Sequence, residues 1–283
     1  MLSRSHSSRG PYDHPKPAVM KLKLYQIDAF TNKVFGGNPA AVCPLQQWLS
    51  DSLMQKIAME NNLAETAFMV PESDGYAIRW FTPSVEVDLC GHATLAAAYA
   101  LFHYERHEGD EILFHSPRSG PLKVIRKGAL LTLDFPADIY EPVALTAPLT
   151  DGLSILPREA FKGKTDFMLV FDSEEQVRKV QPDFRKIATL PGRGVIVTAK
   201  GDTVDFVSRF FAPQAGVNED PVTGSAHTTL TPYWAGKLGK TTMTARQLSA
   251  RQGDLQCRLA GHRVEIGGFA KPYLIGQIDV EEV

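Results

Sequence analysis

The residues of this chain that could do chemistry gather in three short stretches. In NNLAETAF, Asn61 to Phe68, a carboxylate, Glu65, sits where the alternating run TAFMV enters the core as a strand. A carboxyl group there either faces water or does chemistry. In CGHAT, Cys90 to Thr94, and in NEDPVTGSAH, Asn218 to His227, a glycine (Gly91, Gly224) stands at a loop-to-helix junction. The first-turn N–H groups of a helix have no intrahelical partner, and together with the helix dipole they favour an anion. Two such starts facing one cleft could hold a substrate carboxylate and a second acidic or carbonyl group, or an enolate as it forms. Neither loop has the Gly/Lys content of a phosphate-binding loop. The first junction adds Cys90, His92 and Thr94; the second adds Glu219, Asp220, Thr223, Ser225 and His227. Each has an ordinary reading as well. Thr223 and Ser225 are good helix caps, Asp220 before Pro221 is a turn former, and a histidine such as His92 is more often a hydrogen-bonded packing residue.

The elements that must position these groups repeat. RWFTPSVEVDLCGHATL starts at Arg79, and RFFAPQAGVNEDPVTGSAHTTL starts at Arg209. Both read Arg-aromatic-Phe-X-Pro, then a loop, then a glycine that opens a helix. The arginines are 130 residues apart and the glycines 133, so the second loop is three residues longer. That is a duplication at domain scale. LKLYQIDAF, ETAFMV, YAIRWF, EILFHSP, GPLKVIRK and ALLTLDF read as strands in the first half; FMLVFD, GVIVTAK and VDFVSRFF read as strands in the second. LSDSLMQKIAMENN reads as a short helix capped by Ser50 or Asp51 and ended at Asn61-Asn62. GHATLAAAYALFHYE is apolar almost all round, which predicts a helix wrapped by strands. SAHTTLTPYWAGKLG is its counterpart, with Pro232 either kinking it or lying near its first turns. HRVEIGGFAKPYLIGQIDV supplies two closing strands.

With 283 residues and 43% hydrophobic content, the chain can build a large core in one or two domains. The proline-spaced stretch from Pro136 to Pro142 marks the boundary: 20–138 forms the first domain and 139–270 the second, with the final strand, 271–283, free to return to the first. Thirty basic against 32 acidic residues give no sign of a nucleic-acid partner or a basic membrane face. The longest apolar runs reach about half of what a bilayer needs. Cys43, Cys90 and Cys257 form no disulfide framework and no zinc spacing, which predicts a reduced, cytoplasmic protein. Residues 1–19 are Ser-, Arg- and Pro-rich without an apolar segment, and read as a disordered or upstream extension, with Met20 as an alternative start.

DAFTNKVFGGNPAAV, NNLAETAF, RWFTPSVEVDLCGHATLA and NEDPVTGSAH, in that order, closely resemble the PhzF-like (phenazine-biosynthesis isomerase-like) proteins, from about Lys21 to the C-terminus. The resemblance implies an α+β, diaminopimelate-epimerase-like fold. Two pseudo-symmetric domains would each wrap a β-barrel-like sheet around a central helix, with the active site between them. It implies a homodimer that uses no cofactor and no metal and acts on a small-molecule substrate. It makes Glu65 the catalytic acid/base, and it brings His92, Asp220 and Ser225 to the site, where they bind substrate or help move protons. Asn38 is placed nearby, and Gly91 and Gly224 supply helix-start amides.

Related two-base racemases carry a cysteine at each helix start. Here Thr223 stands opposite Cys90, and a threonine hydroxyl cannot replace a thiol as an acid/base at neutral pH. The expectation is therefore a one-base isomerisation of a small carboxylate-bearing substrate through Glu65, its pKa raised by the apolar neighbours Ala64, Ala67 and Phe68. Cys90 is expected to be a small buried residue. The rival expectations are an epimerase or racemase of a small amino or hydroxy acid, and a non-catalytic anion-binding protein.

Overall fold

The computed structural model describes residues 19–281. The expected extension over residues 1–19 lies outside them, except that Val19 already belongs to the first strand. The first half runs β1 (Val19–Ala29), β2 (Asn38–Pro44), α1 (Asp51–Asn61), β3 (Glu65–Glu72), β4 (Gly75–Phe81), β5 (Glu86–Val87), α2 (Gly91–His103), β6 (Glu111–Ser116), β7 (Gly120–Lys127) and β8 (Leu130–Pro136). The second half runs β9 (Glu141–Val143), α3 (Ala147–Thr150), β10 (Glu159–Lys162), β11 (Asp166–Val170), α4 (Glu174–Lys179), α5 (Phe184–Ile187), β12 (Gly194–Lys200), β13 (Phe206–Phe211), α6 (Ala226–Leu238), β14 (Thr242–Gln247), β15 (Gly253–Ala260), β16 (Arg263–Gly268) and β17 (Ala270–Glu281). A 3₁₀ turn, Pro213–Ala215, follows β13.

The duplication is visible in the strand ladder. In the first half β2 pairs parallel with β3, β3 antiparallel with β4, β4 parallel with β6, then β6–β7–β8 form a meander. In the second half β11, β12, β13, β14, β15 and β16 repeat that sequence of parallel and antiparallel pairings. β8 and β16 pair with each other antiparallel and so join the halves. The last strand, β17, runs back along the whole of β1.

Each half curls around its own helix. α2 packs on β1, β2 and β3 and also on β8, at the other end of the same half-sheet, so the sheet must bend round it. Its residues are buried on nearly every side, as an apolar sequence with no polar stripe requires. α6 packs on β11, β14, β15 and β16 in the same way. Pro232 lies in the middle of α6, beyond the first turns. The carbonyl it leaves without an intrahelical donor, that of Thr228, accepts from the Asp138 N–H at 3.1 Å, so the helix tolerates the proline. α1 is capped by Ser50, whose Oγ accepts from Leu53 N, and it ends on Asn62 in the left-handed conformation.

The repeated arginines make the same contact in each half. Arg79 forks onto Glu86 at 2.7 and 2.8 Å over the ring of Phe81. Arg209 forks onto Glu219 at 2.7 and 3.0 Å over the ring of Phe211. Each pair ties a strand to the loop that leads into the central helix. Arg209 also donates to the Val177 and Val180 carbonyls at the end of α4. Glu219, read above as a site candidate, is therefore a structural partner of Arg209.

Candidate functional site

The N-terminal starts of α2 and α6 abut. A Cβ on Gly91 would lie 3.7 Å from the Gly224 Cα, and a Cβ on Gly224 would lie equally close to the Gly91 Cα. The ring of Phe135 flanks Gly91 and that of Phe30 flanks Gly224, each at 3.7 Å from such a Cβ. The two sets of first-turn amides thus meet in one apolar-walled place. α6 begins two residues after its glycine, at Ala226. Gly224 and Ser225 precede it, and their carbonyls accept 3₁₀-type bonds from His227 and Thr228.

Glu65 is the first residue of β3, paired with Ala40 of the parallel neighbour β2. Its Oε2 lies 3.2 Å from His92 Nε2, with 17% of the Glu65 side chain exposed and 6% of that of His92. The two atoms are close but poorly aligned, and each is fully buried without a hydrogen-bond partner. Burial, with the nearby charge of Asp220, pushes the Glu65 carboxyl up to about 8. Burial also lowers His92 to about 3, so its imidazole is neutral at pH 7. Cys90 Sγ sits 3.4 Å from His92 Nδ1, and burial holds its thiol well above the usual range.

Asn38 bridges the halves. Its Nδ2 donates to Asp220 Oδ1 at 2.7 Å and to the Val222 carbonyl at 2.9 Å, and it lies 3.2 Å from His92 Nδ1. Its Oδ1 is buried with no partner. The loop before Asn38 is latched to the second half: Arg251 donates to Asp28 and to the carbonyls of Gly36 and Gly37, and Gly37 N donates to the Gln252 carbonyl. Gly37 has φ 62°, and a Cβ there would fall 2.0 Å from the Ala29 carbonyl oxygen, so only glycine fits.

Both Asp220 oxygens are engaged: Thr223 Oγ1 donates to Oδ2 at 2.5 Å, and Asn38 holds Oδ1. Burial outweighs these bonds and raises Asp220 to about 6. Gln247, fully buried on β14, accepts from Thr223 N and donates to the Asp220 carbonyl. Ser225 is held from outside the expected set, by Arg193, whose Nη1 donates to its Oγ at 2.8 Å.

The structure therefore gathers Asn38, Glu65, Gly91, His92, Asp220, Gly224 and Ser225 in one place. His227 turns away from it, its Nδ1–H donating to the Thr223 carbonyl and its ring packing on Phe206. Arg193, Asp166 and Gln247 were not singled out from the sequence. Glu65, Cys90 and His92 bring ligand atoms within 4.8 Å of one another, a set of metal-binding type. Burial holds the Cys90 thiol and, at neutral pH, most of the Glu65 carboxyl in the protonated form, which disfavours a cation there. A cavity of about 360 Å³, lined by Leu101, Glu105 and His107 among others, lies at the opposite end of α2. Among the described residues no helix is long and apolar enough to cross a membrane.

Comparison with known proteins matches residues 27–274 to the family model described as phenazine biosynthesis-like protein (PhzC-PhzF). An uncharacterized isomerase of Pseudomonas aeruginosa is 55% identical over 260 residues, covering 92% of this chain and 99% of the relative. The crystal structure of a PhzF-family phenazine biosynthesis protein from Enterococcus faecalis superposes with a TM-score of 0.89 at 48% identity, over 92% of this chain and 99% of that one. A hydroxyproline epimerase from Agrobacterium vitis, at 12% identity and TM-score 0.61 over 93% of each chain, shares the fold alone. The α+β fold of two pseudo-symmetric, helix-centred halves is thus the one expected from the sequence.

Proposed function

The chain belongs to the phenazine biosynthesis-like (PhzC-PhzF) family, an isomerase-type family, and from that membership we propose that it is a one-base isomerase of a small carboxylate-bearing substrate, with Glu65 carrying the proton. The observation that carries this reading is the Glu65 carboxyl itself. It is buried, raised to about 8, and has an unpartnered oxygen beside the unpartnered Nε2 of His92. Orphaned buried polar atoms cost roughly 1–3 kcal/mol each, so a fold retains them where a ligand completes them.

In this mechanism the ionised Glu65 takes a proton from a carbon activated by a neighbouring carbonyl or double bond. The electron pair moves into the conjugated system, and the open amides at the starts of α2 and α6 stabilise the resulting charge. The same carboxyl group, now protonated, returns the proton to another carbon on the same face. A carboxyl group with a pKa near 8 suits both halves of that cycle, since it is a stronger base than an ordinary glutamate and a usable acid at neutral pH. Neutral His92 orients the carboxyl group and can relay the proton. Asp220 contributes the charge that helps raise Glu65 and fixes Asn38 and Thr223. No metal or cofactor enters this scheme.

The epimerase reading would need a second acid/base on the other face of the carbon. Glu65 has Gly194 as its structural counterpart, because Phe68–Arg79 and Val197–Arg209 are equivalent ladder pairs. The test is a screen of small unsaturated and keto carboxylates in deuterated water. Wild-type enzyme should place deuterium on carbon in one of them with a net double-bond shift, and Glu65→Gln should lose that by at least about a thousandfold. Glu65→Gln with wild-type turnover, or inversion at a single stereocentre, defeats the proposal.

A further inference from the structure

Arg193 lies in the loop before β12, one residue ahead of Gly194 and therefore at the position equivalent to Ala64 beside Glu65. Its placement is over-determined. Nε and Nη2 fork onto Asp166 Oδ1 and Oδ2 at 3.0 and 2.5 Å, the guanidinium lies 5.1 Å from the Phe210 ring centroid, and its backbone N–H donates to the Thr165 carbonyl at 2.8 Å. Asp166 is 3% exposed and has its charge neutralised there. Nη1 alone reaches toward the site, donating one hydrogen to Ser225 Oγ at 2.8 Å just before α6.

That contact has two chemical consequences. Because Ser225 Oγ accepts from Arg193, its own hydroxyl hydrogen is released to donate elsewhere. Arg193 also keeps a second Nη1 hydrogen, for which no acceptor exists among the described residues, while 35% of its side chain remains exposed. A fixed cation, a serine O–H and the first-turn amides of α6 thus converge on one spot, on the half of the molecule opposite Glu65.

We infer that Arg193 is the specificity-determining residue for the substrate's carboxylate: with Ser225 it seats that group at the start of α6 and so turns the reacting carbons toward Glu65. The inference rests on the proposed isomerase reading for the identity of the ligand, and the arrangement suits a carboxylate whatever reaction follows. A guanidinium with its own fork already satisfied by Asp166 loses no further rotamer freedom on binding, which favours a charged group over its neutral isostere. The position also sets a direction. The anchor and the base occupy neighbouring ladder positions in the two halves, so a bound substrate spans the pseudo-twofold axis in one orientation only. The same cation offsets part of the burial-driven rise in the pKa of both Glu65 and Asp220, as a charge shared across this small space would.

The probes are crotonate, a small unsaturated carboxylate, and crotonamide, its uncharged isostere, titrated into the full chain at pH 7 and followed by ligand-observed NMR. Arg193→Met alone would strand the buried Asp166 charge, so the main variant is Asp166→Asn combined with Arg193→Met, with its fold checked by near-UV circular dichroism. Wild type should bind crotonate at least about tenfold more tightly than crotonamide, and the double variant should lose at least about tenfold in crotonate affinity, as expected for a charge-assisted contact. Arg193→Lys, which keeps the charge without the fork, should fall between them. Equal crotonate affinity in wild type and the folded double variant overturns the inference, as does a wild type with no preference for crotonate over crotonamide. Deuterium exchange by wild type and Glu65→Gln tests the proton-transfer reading separately, and the comparison of wild type with the Arg193 variants in this titration does not depend on its outcome.

Discussion

Replacing Glu65 by glutamine should stabilise the protein, and by an amount that grows with pH. The folded protein raises this carboxyl group from an ordinary 4.5 to about 8, chiefly by burying it. The native state therefore holds the proton more tightly than the unfolded chain does. Below pH 4.5 both states are protonated and the site costs nothing through ionisation. Between 4.5 and 8 the unfolded chain gives up its proton while the native state keeps it, so stability falls as pH rises; above 8 the loss is complete. At about 1.36 kcal/mol per pH unit, the full penalty is at most about 5 kcal/mol. Glutamine has nearly the same shape and never ionises. The difference in unfolding free energy between Glu65→Gln and wild type, from urea titrations, should be small at pH 5 and reach several kcal/mol at pH 9 in favour of the variant. Asp220, raised to about 6, titrates in both proteins and largely cancels. A difference that stays flat or shrinks between pH 5 and pH 9 would show that the Glu65 carboxyl is not desolvated in the folded state, and the proposed base would lose its physical footing.

Asp220→Asn removes the charge that assists in raising Glu65, so the Glu65 midpoint, followed by carbon-13 NMR of the labelled side chain, should fall below 8. Burial is the larger cause and should keep it above 4.5; an unchanged midpoint would mean the two carboxyl groups do not sense each other. Arg209→Ala should cost about 3–5 kcal/mol in urea unfolding, because it leaves Glu219 and two α4 carbonyls without their donor in a site where the arginine side chain is 10% exposed. Arg79→Ala should cost less, since its extra partner, Asp51, is 77% exposed and can turn to water. Equal losses would mean that the α4 carbonyls contribute nothing.

Much of the fold was legible because it is written twice. The Arg-aromatic-Phe strands and the apolar helix runs marked both halves, and the side chains of Arg79 and Arg209 do the same job in each. The segments Thr242–Gln247 and Gly253–Ala260 were given no element, although Met243, Ala245 and Gln247, then Leu255 and Cys257, alternate inward. Their polar outward residues, with Arg, Thr and Gln dominating, diluted the signal. The site divided along a different line. Glu65, His92 and Asp220 stand in compact motifs, whereas Arg193 stands in LPGRGVIVTA, a turn with nothing chemical around it. It reaches the site only because β11 pairs parallel with β12 and so brings Asp166, 27 residues away, beside it. Gln247 reaches Thr223 through the parallel pairing of β13 with β14. Parallel pairing leaves no local mark on a sequence, so partners of this kind appear only once the sheet is known.

The unequal filling of equivalent positions bears most directly on the reaction. A stereoinversion that uses two bases needs a proton carrier on each face of a carbon, and a duplicated fold offers two such places. This chain occupies them differently. Where the first half has Glu65, the second has Gly194, and a Cβ there would fall 2.5 Å from the Phe210 ring, so that position cannot hold any side chain without moving the ring. Where the first half has Cys90, the second has Thr223, whose hydroxyl is committed to Asp220. Where the first half has neutral His92, the second has Ser225, held by a guanidinium. The first half brings Glu65 and neutral His92 to the site, and the second brings Asp220, Ser225 and Arg193, so a ligand between them meets different groups on its two sides. In the proposed reaction a substrate seated between them is approached by Glu65 from one side, and its anionic end is held by Ser225 and Arg193 on the other. Under those constraints a proton that leaves one carbon can return only to the same face, at the carbon it left or at one conjugated with it. Return to the first carbon restores the starting material; return to the second moves a double bond. The proposed relocation of a double bond, rather than inversion at one carbon, is the net chemistry that such a division of labour favours.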